Sequence, residues 1–203
     1  MLAVVDAVAE TVHERFHYLG RSRAGTHLGM VPTEGRTDDL PCSLWTFSEL
    51  DLPHVQTVVG GMGFDPRNCL VLSRSYTFRW APRNTFSYGF AKCVAVLRDE
   101  IHPELDWLVS YVNPNVGFTG SSYFAAGWSV LAREISPSYS YLDGEYITRR
   151  KLRAEFGTAD YDELSTRLGP RIQQSRMTLE PLLVLALLIV RLSSLQTLFY
   201  VHT

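Results

Sequence analysis

The stretch that decides the fold is Leu105–Trp128, LDWLVSYVNPNVGFTGSSYFAAGW. Trp107, Val109 and Tyr111 recur at the two-residue period of a strand. Asn113-Pro114-Asn115 then supplies a turn signal. A short helix opens around Thr119-Gly120-Ser121 and closes at Gly127-Trp128, carrying Tyr123 in between.

Outward from that unit, strands and helices alternate. Cys69–Phe78, CLVLSRSYTF, is apolar, β-branched or aromatic and bounded by Arg67-Asn68 and Pro82, which predicts a central strand. Thr85–Leu97 places Phe86, Phe90, Val94 and Leu97 on one helical face, with Asn84 or Thr85 as N-cap. Further upstream, Met1–Asp6 reads as a first strand. Ala7–Leu19 reads as a helix with Val8, Val12, Phe16 and Leu19 aligned and Gly20 as its C-cap. Thr26–Val31 and Ser43–Phe47 read as strands on either side of a polar loop, Pro32–Pro41. Asp51–Pro66 has no clear period, and its Gly60-Gly61-x-Gly63 marks a turn, not a phosphate loop. Downstream, Ser129–Ile135 and Tyr139–Leu142 are expected as a hairpin. Asp143-Gly144 forms a turn into a strand over Glu145–Thr148, and residues 150–180 are polar and helical, broken at Gly157 and Gly169-Pro170. Together these predict an α/β (α+β) fold, a mixed, mainly antiparallel sheet flanked by helices over residues 1–160. A helical and apolar C-terminal extension follows over 161–203.

A chain of 203 residues with 46% hydrophobic side chains suits one domain, or one domain with a tail. The formal net charge of −2 excludes a global basic field, although Arg149, Arg150, Lys151 and Arg153 leave a local basic face. Cys42, Cys69 and Cys93 lack disulfide or zinc spacing and are expected as reduced core thiols. Asp6 and Glu10 interrupt the apolar start, and Pro181–Val190 is shorter than the ~20 residues a spanning helix needs, so it is expected as a buried strand or helix. A soluble, cytoplasmic protein with no membrane partner is the expectation.

The order strand, Asn loop, Tyr-x-x-x-Gly-aromatic resembles the late segment of GCN5-related N-acyltransferases. In that fold the helix carries a Tyr facing the thioester sulfur of acyl-coenzyme A. Tyr123 is then the candidate acid, since a phenol near pKa ~10 stays protonated at neutral pH and can donate to a thiolate. The cofactor's pyrophosphate suits a helix N-terminus that follows a strand. Here Arg79-Trp80-Ala81-Pro82-Arg83-Asn84-Thr85 lacks the glycines of the usual loop, so Arg83, Asn84 and Thr85 would bind with side chains. Asn113 and Asn115 stand where a loop could enter the cofactor cleft, turn formation being the alternative.

A more specific resemblance comes from blocks in order. They are His17-Tyr18, Leu72-Ser73-Arg74, Pro82-Arg83-Asn84-Thr85-x-Ser87, Val109-Ser110-Tyr111, Gly117-Phe118-Thr119-Gly120-x-x-Tyr123, Tyr141-x-Asp143-Gly144, Arg149-Arg150 and Phe156-Gly157. In this order they resemble the phage Mom-like DNA-modification proteins, a divergent branch of the acyltransferase fold. The resemblance implies modification of the exocyclic amine of adenine in DNA with a methylcarbamoyl-type group. It also implies acetyl-coenzyme A, or a related acyl-coenzyme A, as donor and an iron-dependent step. By the same resemblance His17 and Tyr18 lie near the target or a metal. Tyr123 faces the thioester, Arg83 and Asn84 hold the cofactor phosphates, Ser110 and Tyr141 line the cleft, and Arg149 and Arg150 face substrate or DNA. The family's Asp after the strand and His before Thr-Gly are here Asn113 and Phe118. That substitution leaves acylation of a small amine or peptide open, and the absent Gly-rich loop leaves open a non-catalytic binding protein on the same fold. His13, His27, His54, His102 and His202 match no motif and receive no role.

Overall fold

The computed structural model describes residues 2–31, 41–134, 139–175 and 182–189. They fall into two compact units. One holds residues 1–110, 122–129 and those from 185 onward; the other holds 111–121 and 130–184.

The first unit begins with β1 (Leu2–Ala3), α1 (Asp6–Phe16), β2 (Thr26–Met30) and β3 (Ser43–Glu49). It continues through α2 (Pro53–Gly61), β4 (Cys69–Thr77) and α3 (Thr85–Val96) to β5 (Trp107–Val112), of which residues 107–110 belong to it, and α4 (Ser121–Ala125), of which residues 122–125 do. Its strands run in the order β1-β2-β3-β4-β5, with β10 (Leu182–Leu188) hydrogen-bonded beyond β5. β1 to β4 pair antiparallel, whereas β4 and β5 pair parallel. The change of sense follows from α3, since parallel neighbours need a long crossover. The apolar C-terminal run is therefore a strand, one of the two forms its length allowed.

Two irregularities shape the centre of this sheet. Thr46 pairs with Arg74 but Phe47 pairs with Leu72, so Ser73 is an extra residue in β4. Such a bulge sharpens twist and bends its strand. On the other side, β4 and β5 pair only from Cys69↔Trp107 to Val71↔Val109, although β4 runs on to Thr77. The bend thus coincides with the point where β4 leaves β5.

α3 packs on β3 through Gly89, where a Cβ would run into the Trp45 indole and crowd Met30 Sδ. Trp45 is fully buried, so it cannot yield. Gly89→Ala is expected to destabilise the protein. Overpacking costs about 1–3 kcal/mol, while the gain in helix propensity offsets at most about 1 kcal/mol. A lower urea midpoint at unchanged slope is the expected result; a higher midpoint would show that α3 does not need this close approach.

Several boundaries differ from the sequence expectations. The first helix ends at Phe16, and His17 takes extended dihedrals as its C-cap, three residues before Gly20. Asp51–Pro66, left without a period, contains α2, with Pro53 in its first turn and Val55 and Val59 buried one turn apart. Asn84 adopts a left-handed φ of 65° and makes no side-chain cap. Cys42, Cys69 and Cys93 are unbridged and buried; burial pushes the Cys69 thiol up to about 12 and the Cys93 thiol higher still. No helix among the described residues is long and apolar enough to cross a membrane.

The second unit contains β6 (Ser129–Glu134), β7 (Tyr139–Leu142), β8 (Glu145–Ile147), α5 (Arg149–Phe156), α6 (Tyr161–Leu168) and β9 (Ile172–Ser175). β7 pairs antiparallel with β8 and β9. The expected hairpin of residues 129–135 with 139–142 is not formed: β6 lies next to β10, and residues 135–138 lie outside the described set. The true hairpin is β7–β8, turned by Asp143 and Gly144 at φ 52° and 86°, as a two-residue loop with two positive φ angles requires. β9 was hidden in a stretch read as helical. It carries Ile172 into a core with Ile147, Leu152 and Leu164. Thr148 and Asp160 cap α5 and α6 by accepting from Lys151 N and Glu163 N.

Candidate active site

Alternation along β3 and β4 sorts the polar residues of the first unit onto two faces. Trp45 and Ser75 are paired, and so are Thr46 and Arg74. Trp45 meets Phe86 of α3, whereas Thr46 meets His13 of α1. One face is therefore built on α3 and the other on α1.

On the α3 face stands Tyr123, from the five-residue α4. The helix stops at once: Ala126 N and Trp128 N both donate to the Tyr123 carbonyl, and Gly127 takes φ 86°. The Tyr123 ring packs between Phe86 and Trp128, with centroids 5.4 and 5.3 Å away. Its hydroxyl lies 3.2 Å from Ser110 Oγ and 3.4 Å from Ser75 Oγ. Ser110 is also 3.0 Å from the Leu72 carbonyl, which can only accept. Ser110 Oγ donates toward both that carbonyl and the Tyr123 oxygen, so the Tyr123 proton is not given to Ser110. Ser110 follows the last β4–β5 pair, so this hydroxyl group sits at the mouth of the parted strands.

The start of α3 is close in sequence to β4. Thr85 is buried and donates to the Pro82 carbonyl at 2.6 Å, while Arg83 and Asn84 are exposed. No side chain caps the first turn, and Thr85 N donates to the Pro82 carbonyl, so the N–H groups of Phe86 and Ser87 are the ones an anion would meet.

On the α1 face, Thr46 Oγ1 lies 2.7 Å from His13 Nε2 and 2.8 Å from His27 Nδ1. His27 Nε2 is 3.5 Å from the carboxylate of Asp6. Arg74, only 7% exposed, donates to the carbonyls of Arg21 and Ser73. His17 Nδ1 accepts from Leu19 N at 3.2 Å, and its ring stacks near Tyr18 at 4.7 Å and edge-on to His13 at 5.8 Å. Burial, then the Arg74 charge, then the neighbouring histidine hold His13 at about 4 and His17 at about 3. Burial also lowers His27, against the opposing pull of Asp6 and Glu10. These imidazoles are neutral at physiological pH.

That geometry bears on iron. Among the described residues no three His, Cys, Asp or Glu side chains converge as a metal site. A histidine ligand normally donates its second N–H outward, but His17 Nδ1 accepts instead, which leaves the proton on Nε2. His13 Nε2 and His27 Nδ1 are taken up by Thr46. The described residues do not fit the metal that the resemblance implies.

The structure thus brings Ser110 to Tyr123, and His17 to Tyr18. It adds His13, His27, Thr46 and Arg74, three of which no sequence motif singled out. The available signal was spacing: His13 and His17 are four apart, one above the other on a helix. The remaining candidates belong to the second unit. Asn113 Oδ1 accepts from both Asn115 N and Asn115 Nδ2 at 3.0 Å, an Asx turn. Tyr141 is half-buried on β7 beside Tyr146, and Arg149 and Arg150 are exposed at the start of α5.

A search of curated proteins found no match to this sequence. The model of the Mom protein family matches residues 2–179. With most of its length accounted for, the chain belongs to the Mom protein family.

Proposed function

We propose that the protein is an acyl-coenzyme A-dependent N-acyltransferase of the GCN5-related type that modifies the exocyclic amine of adenine in DNA. Family membership supports the DNA substrate, and one observation carries the chemistry. The Tyr123 hydroxyl is held by Ser110 and Ser75 where β4 and β5 separate. Parted strands offer unpaired backbone groups, and an extended chain with amides of its own can pair with them. The pantetheine arm of coenzyme A is such a chain. Arg83 and the uncapped first turn of α3 suit its pyrophosphate.

When bound, acyl-coenzyme A supplies an acyl carbon activated as a thioester. The protein's own part is to orient and to move protons. Tyr123 keeps its proton at Oη for a departing thiolate, and its ring is fixed by Phe86 and Trp128. No step is assigned to iron, because no three His, Cys, Asp or Glu side chains converge as a metal site among the described residues.

Mass spectrometry of nucleosides from the DNA of expressing cells tests this reading. Deoxyadenosine carrying an added acyl-derived group is the expected product. An unmodified digest from cells that contain folded protein would overturn the DNA assignment, and thiol release from acetyl-coenzyme A with small amines but not DNA would move the acceptor to that class.

A further inference from the structure

The first unit carries a row of aromatic rings that its core does not use up. Tyr76 and Phe78 pack against the buried cluster of Ala9, Val12 and Leu44. Phe16 and Trp80 extend that row outward. Phe16 stacks on Tyr76 at 5.9 Å and meets Phe78 edge-on at 5.2 Å, while Trp80 stacks on Phe78 at 5.5 Å with the planes 26° apart. Yet Phe16 is 44% exposed and Trp80 57%. The backbone explains why Trp80 stands out. Ala81 N donates to the Phe78 carbonyl, which closes a turn with Arg79 and Trp80 at its tip. Phe78 N in turn donates to the carbonyl of Cys42, the residue before β3, so the turn is tied to the sheet. Each exposed ring has an exposed arginine next to it in sequence, Arg15 and Arg79, and among the described residues no carboxylate pairs with either.

We propose that Phe16, Phe78 and Trp80, with Arg15 and Arg79, form a stacking platform for unpaired DNA bases that flank the target adenine. This rests on the DNA reading above. Chemistry on a base of duplex DNA requires that base to leave the stack, and its neighbours then lose a stacking partner. A paired duplex offers only base edges in its grooves. A ring face meets a base face where the strand is unpaired, and the contact tolerates any base. Rings held in place beside cations suit such a strand, the rings taking bases and the arginines taking phosphates. A second copy of the chain is the other occupant that an exposed aromatic row admits. Two such faces would bring Arg15 and Arg79 against their own copies, and like charges at an interface are costly.

Position separates the platform from the chemistry. Tyr76 pairs with Leu44, two residues along β3 from Thr46, so the row lies on the α1 face, whereas Ser75 holds Tyr123 on the α3 face. The platform therefore does not receive the adenine itself. β4 and β5 part toward the C-terminal end of β4, and the Phe78–Ala81 turn stands at that same end. Trp80 follows Ser75 by five residues, at most about 18 Å of extended chain. At about 3.4 Å per nucleotide, that span is on the order of five nucleotides of one strand.

Of the four tryptophans, Trp45 and Trp128 are buried and Trp107 is half-buried, so emission that responds to a surface ligand reports Trp80. Titrating the full chain with a single-stranded oligonucleotide containing adenine should quench that emission. A duplex of the same sequence should quench it less and bind more weakly. Trp80→Ala should weaken single-strand binding by about 5–150-fold, the range of one base–aromatic stack. Trp80→Phe keeps a ring on Phe78 and should bind nearly as the wild type does, without the quenching. Arg79→Gln should lower the slope of log affinity against log salt by about 0.7, one phosphate's share. Thermal melts establish that each variant is folded. Binding without quenching, equal affinity for the two DNA forms, or a folded Trp80→Ala protein with wild-type single-strand affinity would overturn the platform. A wild-type dimer that Trp80→Ala dissociates, with DNA binding unchanged, would give the row to a second copy instead. Because the titration needs no turnover, an unmodified nucleoside digest from wild-type cells would sink the DNA-modification reading while the oligonucleotides still decide the platform.

Discussion

Tyr123→Phe is expected to slow acyl transfer by about 10²–10⁴-fold, the usual contribution of a general acid, with little change in acyl-coenzyme A affinity. The split follows from timing: the phenol helps only as negative charge grows on sulfur, so its loss lowers kcat and not ground-state binding. The geometry makes the substitution clean. Phe keeps the ring between Phe86 and Trp128, and Ser110 keeps its bond to the Leu72 carbonyl. Ser110 and Ser75 each lose one neighbour, at 3.2 and 3.4 Å, at a cost of about 1 kcal/mol apiece. Turnover, calorimetry with coenzyme A and a melting curve separate the outcomes. A folded variant with full turnover would leave Tyr123 as a core residue; one that no longer binds the cofactor would make it a binding residue.

Much of the frame was legible because it rests on local rules. The two-residue period of Trp107, Val109 and Tyr111, the Asn-Pro turn and the Gly127 stop all reappear as β5, an Asx-capped turn and α4. Cys69–Phe78 reads as a central strand because it is apolar on both faces, and it is β4 to within one residue. The membrane-like run at Pro181 is too short to span a bilayer, and Leu182–Leu188 within it forms a strand beside β5.

What escaped was decided at a distance. Nothing in Ser129–Glu134 says that its neighbour is β10 and not the strand that follows it. Ile172–Ser175 is polar at three of four positions, and it is a strand because β7 has an edge to fill. The site divides the same way. Tyr123 and Ser110 were visible because both lie within the diagnostic stretch. His13, Thr46 and His27 are three isolated residues in sequence, joined only when α1 crosses the β2–β3 pair. The parting of β4 and β5 is likewise a register fact, invisible to composition or period.

Lowering the pH from 7.5 to 4.5 is expected to cost the folded protein roughly 2–3 kcal/mol through His13 alone, at about 1.4 kcal/mol per pH unit. His13 sits at about 4 in the folded chain against 6.5 when unfolded. Between those values the unfolded chain binds the proton and the folded one does not, so stability is full above 6.5 and is lost as pH falls toward 4. His17, at about 3, acts in the same direction over a window that extends lower. Its contribution is discounted because the ring is half-buried and shares Arg74 with His13. The ion-paired Asp65, Asp99 and Asp143 have carboxyls held below the usual range, so they are scarcely protonated by pH 4.5 and do not confuse the reading. For a chain of this length the change corresponds to a melting temperature lower by about 4–12 °C. His13→Gln will change the absolute stability, but its diagnostic effect is on the slope, which should flatten between pH 6.5 and 4.5. A wild-type melting temperature that stays level across that window, or a His13→Gln variant with the wild-type slope, would show that these imidazoles are not held neutral by the fold.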